Sequence, residues 1–246
     1  MTQRDASNGT FDQYGAWARD GVAPTLAAGR YSLQAAGERL MPRDVAAKLA
    51  LGPDDRLLDI GCGAGANLIP LSFLVERATG VDHPDVIARL GDLVRLSNVD
   101  LVGGDFVAID IATRFNKILL YSVLHCLPSR DRAMDLLDKA VGLLSPGGRM
   151  LIGDLPNVDL KRRFLASPAG KAFDEAWRAA TAAAQAGGAA LAAPPAAPAT
   201  VLGVDDAFVL GILARYRTGS THAWVLPQPP DLPFGHTRED ILIVRF

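Results

Sequence analysis

The segment LLDIGCGAGANL, residues 57–68, constrains this chain more than any other part of its sequence. An apolar run enters three glycines at alternate positions, Gly61, Gly63 and Gly65, and an apolar helical pattern follows. Glycines at such a bend permit positive φ and let the backbone approach a ligand with no Cβ in the way. The first N–H groups of the next helix open toward the same space. A strand, loop and helix of this kind form a nucleotide or nucleoside site at the carboxyl end of a buried strand.

The chain then keeps alternating. Strands are expected at 56–61, 78–82, 99–105, 117–124 and 148–154, with helices at 66–77, 83–98 and 129–145 between them. KILLYSVL is apolar throughout, as a strand buried on both faces must be. Ser129 is placed to cap the helix it precedes, and Pro146-Gly147-Gly148 reads as the turn that ends it. Strand–helix alternation of this length predicts an α/β fold, a doubly wound and mostly parallel sheet with helices on both faces. With 246 residues, the whole chain reads as one domain.

Two regions stand outside the alternation. Residues 1–50 read as helical, with Pro42 in the first turn of PRDVAAKLAL. Phe11, Tyr14 and Trp17 share one helix face by their spacing and are candidates for a lid over the site. Residues 155–200 read as an insert after the fifth strand: a helix carrying Phe164, Phe173 and Trp177, then an Ala- and Pro-rich stretch suited to a linker or tail. A helix at 205–217 and two strands, 221–229 and 239–246, close the chain. The short joint between those strands makes the last one antiparallel.

Charge narrows the ligand. Asp59 lies two residues before Gly61, where a carboxylate repels a pyrophosphate and attracts an ammonium and a sulfonium. The pattern from Gly61 through Gly63 to Ala66 formally fits a dinucleotide loop, but no Lys-Ser/Thr follows, which excludes a P-loop. Asp82, 17 residues after Gly65 at the end of the second strand, is placed to take both hydroxyls of a ribose. Asp105, at the end of the third strand in GGDF, can accept from an adenine amine, with Phe106 beside the ring.

In this order, DIGCGAG, GVD, GDF, ILLYSVLHCL and LLSPGGRMLIGD resemble the class I S-adenosylmethionine-dependent methyltransferases over about residues 40–155 and the terminal helix and hairpin. The resemblance implies a seven-stranded sheet in the order 3-2-1-4-5-7-6 with strand 7 antiparallel. It implies S-adenosylmethionine as cofactor, wrapped by Gly61, Gly63 and Gly65 and held at the ribose by Asp82. Asp105 and Phe106 would hold adenine, and Tyr121 and Ser122 would flank the methionine carboxylate and sulfonium. Tyr14, Asp59, Asn67, His83 and Gly104 complete the expected cofactor shell. Asn116 departs from the acid that many relatives carry at the start of the fourth strand. GDLPNVDLKRRFLASPAGKAF is also similar to methyltransferases of bacterial glycan and natural-product biosynthesis.

Methyl transfer is an in-line displacement, so the protein mainly aligns its reactants, and an alcohol acceptor gains from a general base. His125 sits just after the fourth strand, near the expected methyl group, and Asp154 ends the fifth. These two are the candidate catalytic residues, with packing of His125 and a turn cap at Asp154 as the plain alternatives. His83 and His236 read as turn or structural residues. Lys161, Arg162 and Arg163 suit either an anionic group or a solvated helix face. Cys62 and Cys126 form no disulfide framework, and no metal set is expected.

The reading is thus methyl transfer to a small-molecule acceptor, a hydroxyl of a sugar or natural product. A small amine as acceptor is the nearest alternative. Rival classes are a protein that binds the cofactor without catalysis and an NAD-dependent oxidoreductase, against which Asp59 argues. A net charge of −2 argues against nucleic acid as partner. No apolar run reaches the roughly 18 residues of a membrane span. The start of the chain lacks an apolar signal core, so a cytoplasmic monomer or homodimer is expected.

Overall fold

The computed structural model describes residues 9–186, Pro195 and residues 202–246. Most of the Ala- and Pro-rich stretch expected as a linker lies outside the described residues. The chain opens with helix α1 (Gly9–Arg19), short helical turns over 24–27 and 32–38, and α2 (Met41–Leu49). Pro42 falls in the first turn of α2, where its missing N–H costs nothing. Met41, Val45 and Leu49, spaced by four, form its buried face. The helix ends at Ala50 in the left-handed region, φ 50°. Lys117 Nζ donates to the carbonyls this leaves free, Leu49 O at 2.8 Å and Ala50 O at 3.0 Å.

The body follows as β1 (Arg56–Ile60), α3 (Leu68–Ser72), β2 (Arg77–Asp82), α4 (Pro84–Leu93), β3 (Val99–Gly103), β4 (Phe115–Tyr121), α5 (Arg130–Leu143) and β5 (Leu144–Leu155). Helices α6 (Val158–Ala166), α7 (Pro168–Ala186) and α8 (Asp206–Tyr216) lead to β6 (Thr221–Pro227) and β7 (Glu239–Arg245). The seven strands form one sheet in the order β3-β2-β1-β4-β5-β7-β6. Strands β1 to β5 pair in parallel, and β7 runs antiparallel between β5 and β6. The progression of strands across the sheet therefore reverses between β1 and β4, which opens a crevice at their carboxyl ends.

Side chains alternate across a strand, so each strand feeds two cores. Leu58, Ile60, Ile118, Leu120, Met150 and Ile152 pack with α5 and α8 on one face. Leu57, Leu119, Leu151 and Tyr121 pack with α2, α3 and Leu90 on the other. Asn116 ties the starts of β1 and β4 together. Its Nδ2 donates to Asp55 at 2.8 Å, and its Oδ1 accepts from Arg56 N at 2.7 Å.

Several expected boundaries move. The helix expected over 66–77 shortens to α3, because the chain must turn at 73–76 to bring Arg77 beside Arg56. The helix expected over 83–98 ends at Leu93, where Val94 becomes extended. Pro146-Gly147-Gly148 bends β5 rather than preceding it, with Gly147 at φ 76°. The insert helix is two helices, because Ser167 stops α6 and its Oγ then accepts from Gly170 N at 3.0 Å to start α7. Ser129 and Asp205 cap α5 and α8 as their positions suggest.

Helix α1 lies on the amino end of α4. Arg19 pairs with Asp85, and Arg89 donates to Ala18 O and Val22 O, both at 3.2 Å. The approach is so close that a Cβ on Gly15 would lie 2.3 Å from His83 Cε1. Gly15→Ala is expected to cost about 1–3 kcal/mol, the usual penalty of overpacking. Rotating the His83 ring aside would relieve the clash but lose its cap on α4. Urea unfolding followed by tryptophan fluorescence checks this, and an unchanged midpoint would contradict the docking of α1.

Candidate active site

Gly61, Gly63 and Gly65 take φ values of 76°, 53° and 82°, which favour glycine at all three positions. At Gly61 an added Cβ would meet Val123 Cγ2 at 2.3 Å. At Gly63 it would meet nothing within 4 Å, so the loop there faces open space. The Gly63 N–H donates to Asp82 at 2.7 Å, and the His83 N–H donates to the other Asp82 oxygen at 2.6 Å. Asp59 lies close enough to feel the Asp82 charge and is 2% exposed. Among the described residues neither Asp59 nor Asp82 has a Lys or Arg partner. Asn67, where the loop enters α3, is buried with its Oδ1 unpartnered. A buried carboxylate and a half-buried one, with no arginine or lysine and beside an open glycine turn, fit a ligand that brings positive charge and hydroxyls. They do not fit a diphosphate.

Burial, and then the nearby Asp82, push the Asp59 carboxyl up to about 8. Near neutral pH Asp59 therefore holds its proton until a cation arrives. A cationic ligand favours the ionised form, so binding must expel a proton below pH 8. Affinity should rise with pH and level off above about 8. Titration calorimetry of S-adenosylmethionine at pH 7, in buffers of different ionisation enthalpy, is expected to show net proton release. Heats independent of the buffer would contradict the role of Asp59. By the same sign, the ligand-free fold loses stability as pH rises from the ordinary carboxylate range to about 8, and Asp59→Asn should remove that loss.

Other residues expected around the cofactor have protein partners of their own. Phe106 is buried in the core, with Lys139 Nζ 5.1 Å from its ring centroid, so it does not stand beside an open ring site. Asp105 is paired with Arg132 and also accepts from Val107 N at 3.0 Å. Gly104, at φ 154°, has Ile109 Cγ2 2.4 Å from where a Cβ would sit, so its bare backbone serves packing. The His83 ring caps α4 through Nδ1 and packs on Phe11 with centroids 4.8 Å apart, covered by α1. Tyr121 packs on Gly153, and its hydroxyl accepts from Gln228 Nε2 at 3.2 Å. The Ser122 side chain turns toward the end of β5.

There it joins a second cluster. Asp154 is 3% exposed and sits at φ 60°. Ser122 Oγ donates to its Oδ2, Arg30 NH2 lies 3.1 Å from the same oxygen, and Arg238 Nε lies 3.6 Å from Oδ1. Burial alone would raise the Asp154 carboxyl. Arg238, Arg30 and the Ser122 hydroxyl outweigh burial and hold it below the usual carboxylate range. Burial and the Arg238 guanidinium push His125 down to about 4, so its ring is neutral at physiological pH. His125 Nδ1 and Asp154 Oδ1 are both buried without a hydrogen-bond partner. Tyr14, reaching down from α1, contacts Cys126 Sγ at 3.2 Å. Burial raises the Tyr14 phenol and pushes the Cys126 thiol up to about 11. The field of Asp82 reaches both groups, and that of Asp154 reaches Cys126, so this contact stands between the glycine cradle and the second cluster.

Arg30, Glu38 and Arg238 carry no sequence signal, because they lie in short or irregular segments without periodicity. The insert helices reach the same end of the molecule. Trp177 packs on Tyr31, and Phe164 and Phe173 pack on His236. Arg162 and Arg163 are spent on Asp159 and Asp206 at the surface. A cavity of about 490 Å³, lined by Leu160, Val225, Gln228, His236 and Arg238 among others, adjoins this end. Another of about 550 Å³, lined by Asp138, Arg215, Thr221 and Arg245, lies at the other end of β6 and β7. Among the described residues no cluster of ligating side chains could hold a metal, and no helix is long and apolar enough to cross a membrane.

Residues 58–152 match the family model described as a methyltransferase domain. The chain is 34% identical over 118 residues to CymA of Salinispora arenicola, a probable nonribosomal peptide synthetase, a match covering 46% of this chain and 2% of that one. It is 30% identical over 122 residues to the 3-hydroxy-5-methyl-1-naphthoate 3-O-methyltransferase of Streptomyces sahachiroi, covering 47% of this chain and 35% of that one. Both matches span well under two thirds of the relative. In fold, the N-methyltransferase NodS from Bradyrhizobium japonicum WM9, solved with S-adenosylhomocysteine, superimposes with a TM-score of 0.60. That likeness covers 96% of this chain and 98% of NodS at 18% identity. With the strand order and the glycine loop, these matches make residues 58–152 similar to a methyltransferase domain carried on the class I methyltransferase fold, a likeness that points to S-adenosylmethionine as methyl donor.

Proposed function

We propose that the protein transfers the methyl group of S-adenosylmethionine to a hydroxyl of a small molecule, a sugar or a natural product. The cofactor supplies a methyl group already activated on a sulfonium. Gly61, Gly63, Asp59 and Asp82 bind and orient it. His125 takes the hydroxyl proton on Nδ1, and the ionised Asp154 stabilises the imidazolium as it forms.

One observation carries this reading: His125 Nδ1 and Asp154 Oδ1 are buried without a hydrogen bond, the latter faced by Arg238 at 3.6 Å, in a cluster with two guanidiniums. A hydroxyl can donate to one of these acceptors and accept from the unpartnered Arg30 Nε, which matches the mixed character of the cluster. A carboxylate would bring a second anion to Asp154 with no hydrogen to give. A cationic amine would meet Arg30 and Arg238. The O-methyltransferase among the relatives is in keeping with this choice.

The test supplies labelled S-adenosylmethionine with polyhydroxylated and phenolic compounds on one side and primary amines on the other. Label is expected in the hydroxyl set. Label in amines alone would favour N-methylation. Tight cofactor binding with no transfer to any acceptor would favour a binding protein.

A further inference from the structure

Arg30 stands outside every motif in the chain, yet it is 4% exposed and meets three elements at once. Its NH1 donates to Glu38 at 3.1 Å, and its NH2 donates to Ser122 Oγ at 2.8 Å and to Asp154 at 3.1 Å. Glu38 is itself fixed by Thr25 Oγ1, which donates to its other oxygen at 2.6 Å. The guanidinium thus joins the N-terminal segment to the ends of β4 and β5. Both residues it reaches there, Ser122 and Asp154, take φ of 60°, a backbone conformation that costs energy in a non-glycine residue unless partners hold it. Its remaining nitrogen, Nε, is buried with no partner.

We propose that Arg30 is a positioning residue of the acceptor site. It draws Ser122 and one oxygen of Asp154 into a fixed network, which leaves Asp154 Oδ1, faced by Arg238 at 3.6 Å, and His125 Nδ1 without a hydrogen bond and placed to meet the acceptor. This rests on the acceptor reading above. A planar fork is needed, because one ammonium cannot serve Glu38, Ser122 and Asp154 together. The groups that face His125 electrostatically are Arg238, Asp154 and Arg30. Removing the Arg30 charge leaves Asp154 with Arg238 alone and eases proton uptake by His125.

The experiment follows the His125 ring nitrogens by NMR across pH in the full chain, with S-adenosylhomocysteine affinity measured in parallel. In Arg30→Gln, His125 is expected to take up its proton at a pH about one unit higher than in wild type, the usual effect of deleting a nearby charge. S-adenosylhomocysteine affinity should stay within about twofold, since Arg30 contacts nothing in the glycine cradle. In Arg30→Lys, which keeps the charge but not the fork, the midpoint should shift in the same direction by less. An unchanged midpoint in the glutamine variant would overturn the proposal, and so would a lysine variant that titrates as wild type. If the glutamine variant does not fold, the lysine variant decides alone. Failure of wild type to bind S-adenosylhomocysteine would instead strike the methyltransferase reading, so the two failures are distinct.

Discussion

Asp82→Ala is expected to lower S-adenosylmethionine affinity by at least about 100-fold. A carboxylate that takes two ribose hydroxyls makes charge-assisted hydrogen bonds, each worth about 1.5–3 kcal/mol. Asp82 also holds the Gly63 N–H at 2.7 Å, so its loss frees the turn that shapes the cradle. Stability should move the other way. Burial raises the Asp82 carboxyl despite the two N–H donors, so the folded chain gives up stability by ionising it. That penalty is absent below the ordinary carboxylate range and grows as pH rises toward the raised value. Asp82→Asn removes that penalty but turns an NH2 group onto one of the two N–H donors, so its melting temperature relative to wild type should rise with pH while it binds the cofactor poorly. Calorimetry and thermal unfolding on one preparation decide the matter. Wild-type affinity in the alanine variant would remove Asp82 from the site.

His125→Ala should separate chemistry from binding. Turnover on a hydroxyl acceptor is expected to fall about 10²- to 10⁴-fold, the usual contribution of a positioned base. Cofactor affinity should be nearly unchanged, because His125 meets Asp154 and the arginines rather than the glycine cradle. The active form is the neutral ring. Wild-type activity should therefore hold through neutral pH and fall as pH drops through about 4. Asp154 raises the basicity of His125 against burial and the arginines, so the ring would be weaker still without it. Asp154→Asn should lower turnover as well, without moving cofactor affinity. Initial rates of S-adenosylhomocysteine release against pH report both effects. Equal loss of cofactor binding in His125→Ala and Asp82→Ala would overturn the division of roles.

The sheet order and the glycine loop are legible in the sequence because they follow from local rules. Apolar runs and their spacing set the strands, and Gly61, Gly63 and Gly65 sit where the backbone needs positive φ. Residues whose roles depend on distant partners are not legible in this way. Phe106 suggests a ring platform but is drawn into the core, and His83 suggests a solvent-facing turn until α1 covers it. Tyr121 follows the expected strand, yet its hydroxyl is claimed by Gln228, 107 residues away. Arg30 and Arg238 lack any periodic signal and reach Asp154 only through the folded topology. Asp59 reads as a fixed charge, whereas its burial makes it a carboxyl that ionises when a cation arrives.

The Tyr14–Cys126 contact gives the protein an internal clock. The half-buried Cys126 has its sulfur against the phenol of α1, so lifting that helix should speed the approach of an alkylating reagent. The rate of adduct formation, read by intact mass, counts those departures. Bound S-adenosylhomocysteine should slow the count, and Gly15→Ala, which wedges α1 against His83, should quicken it.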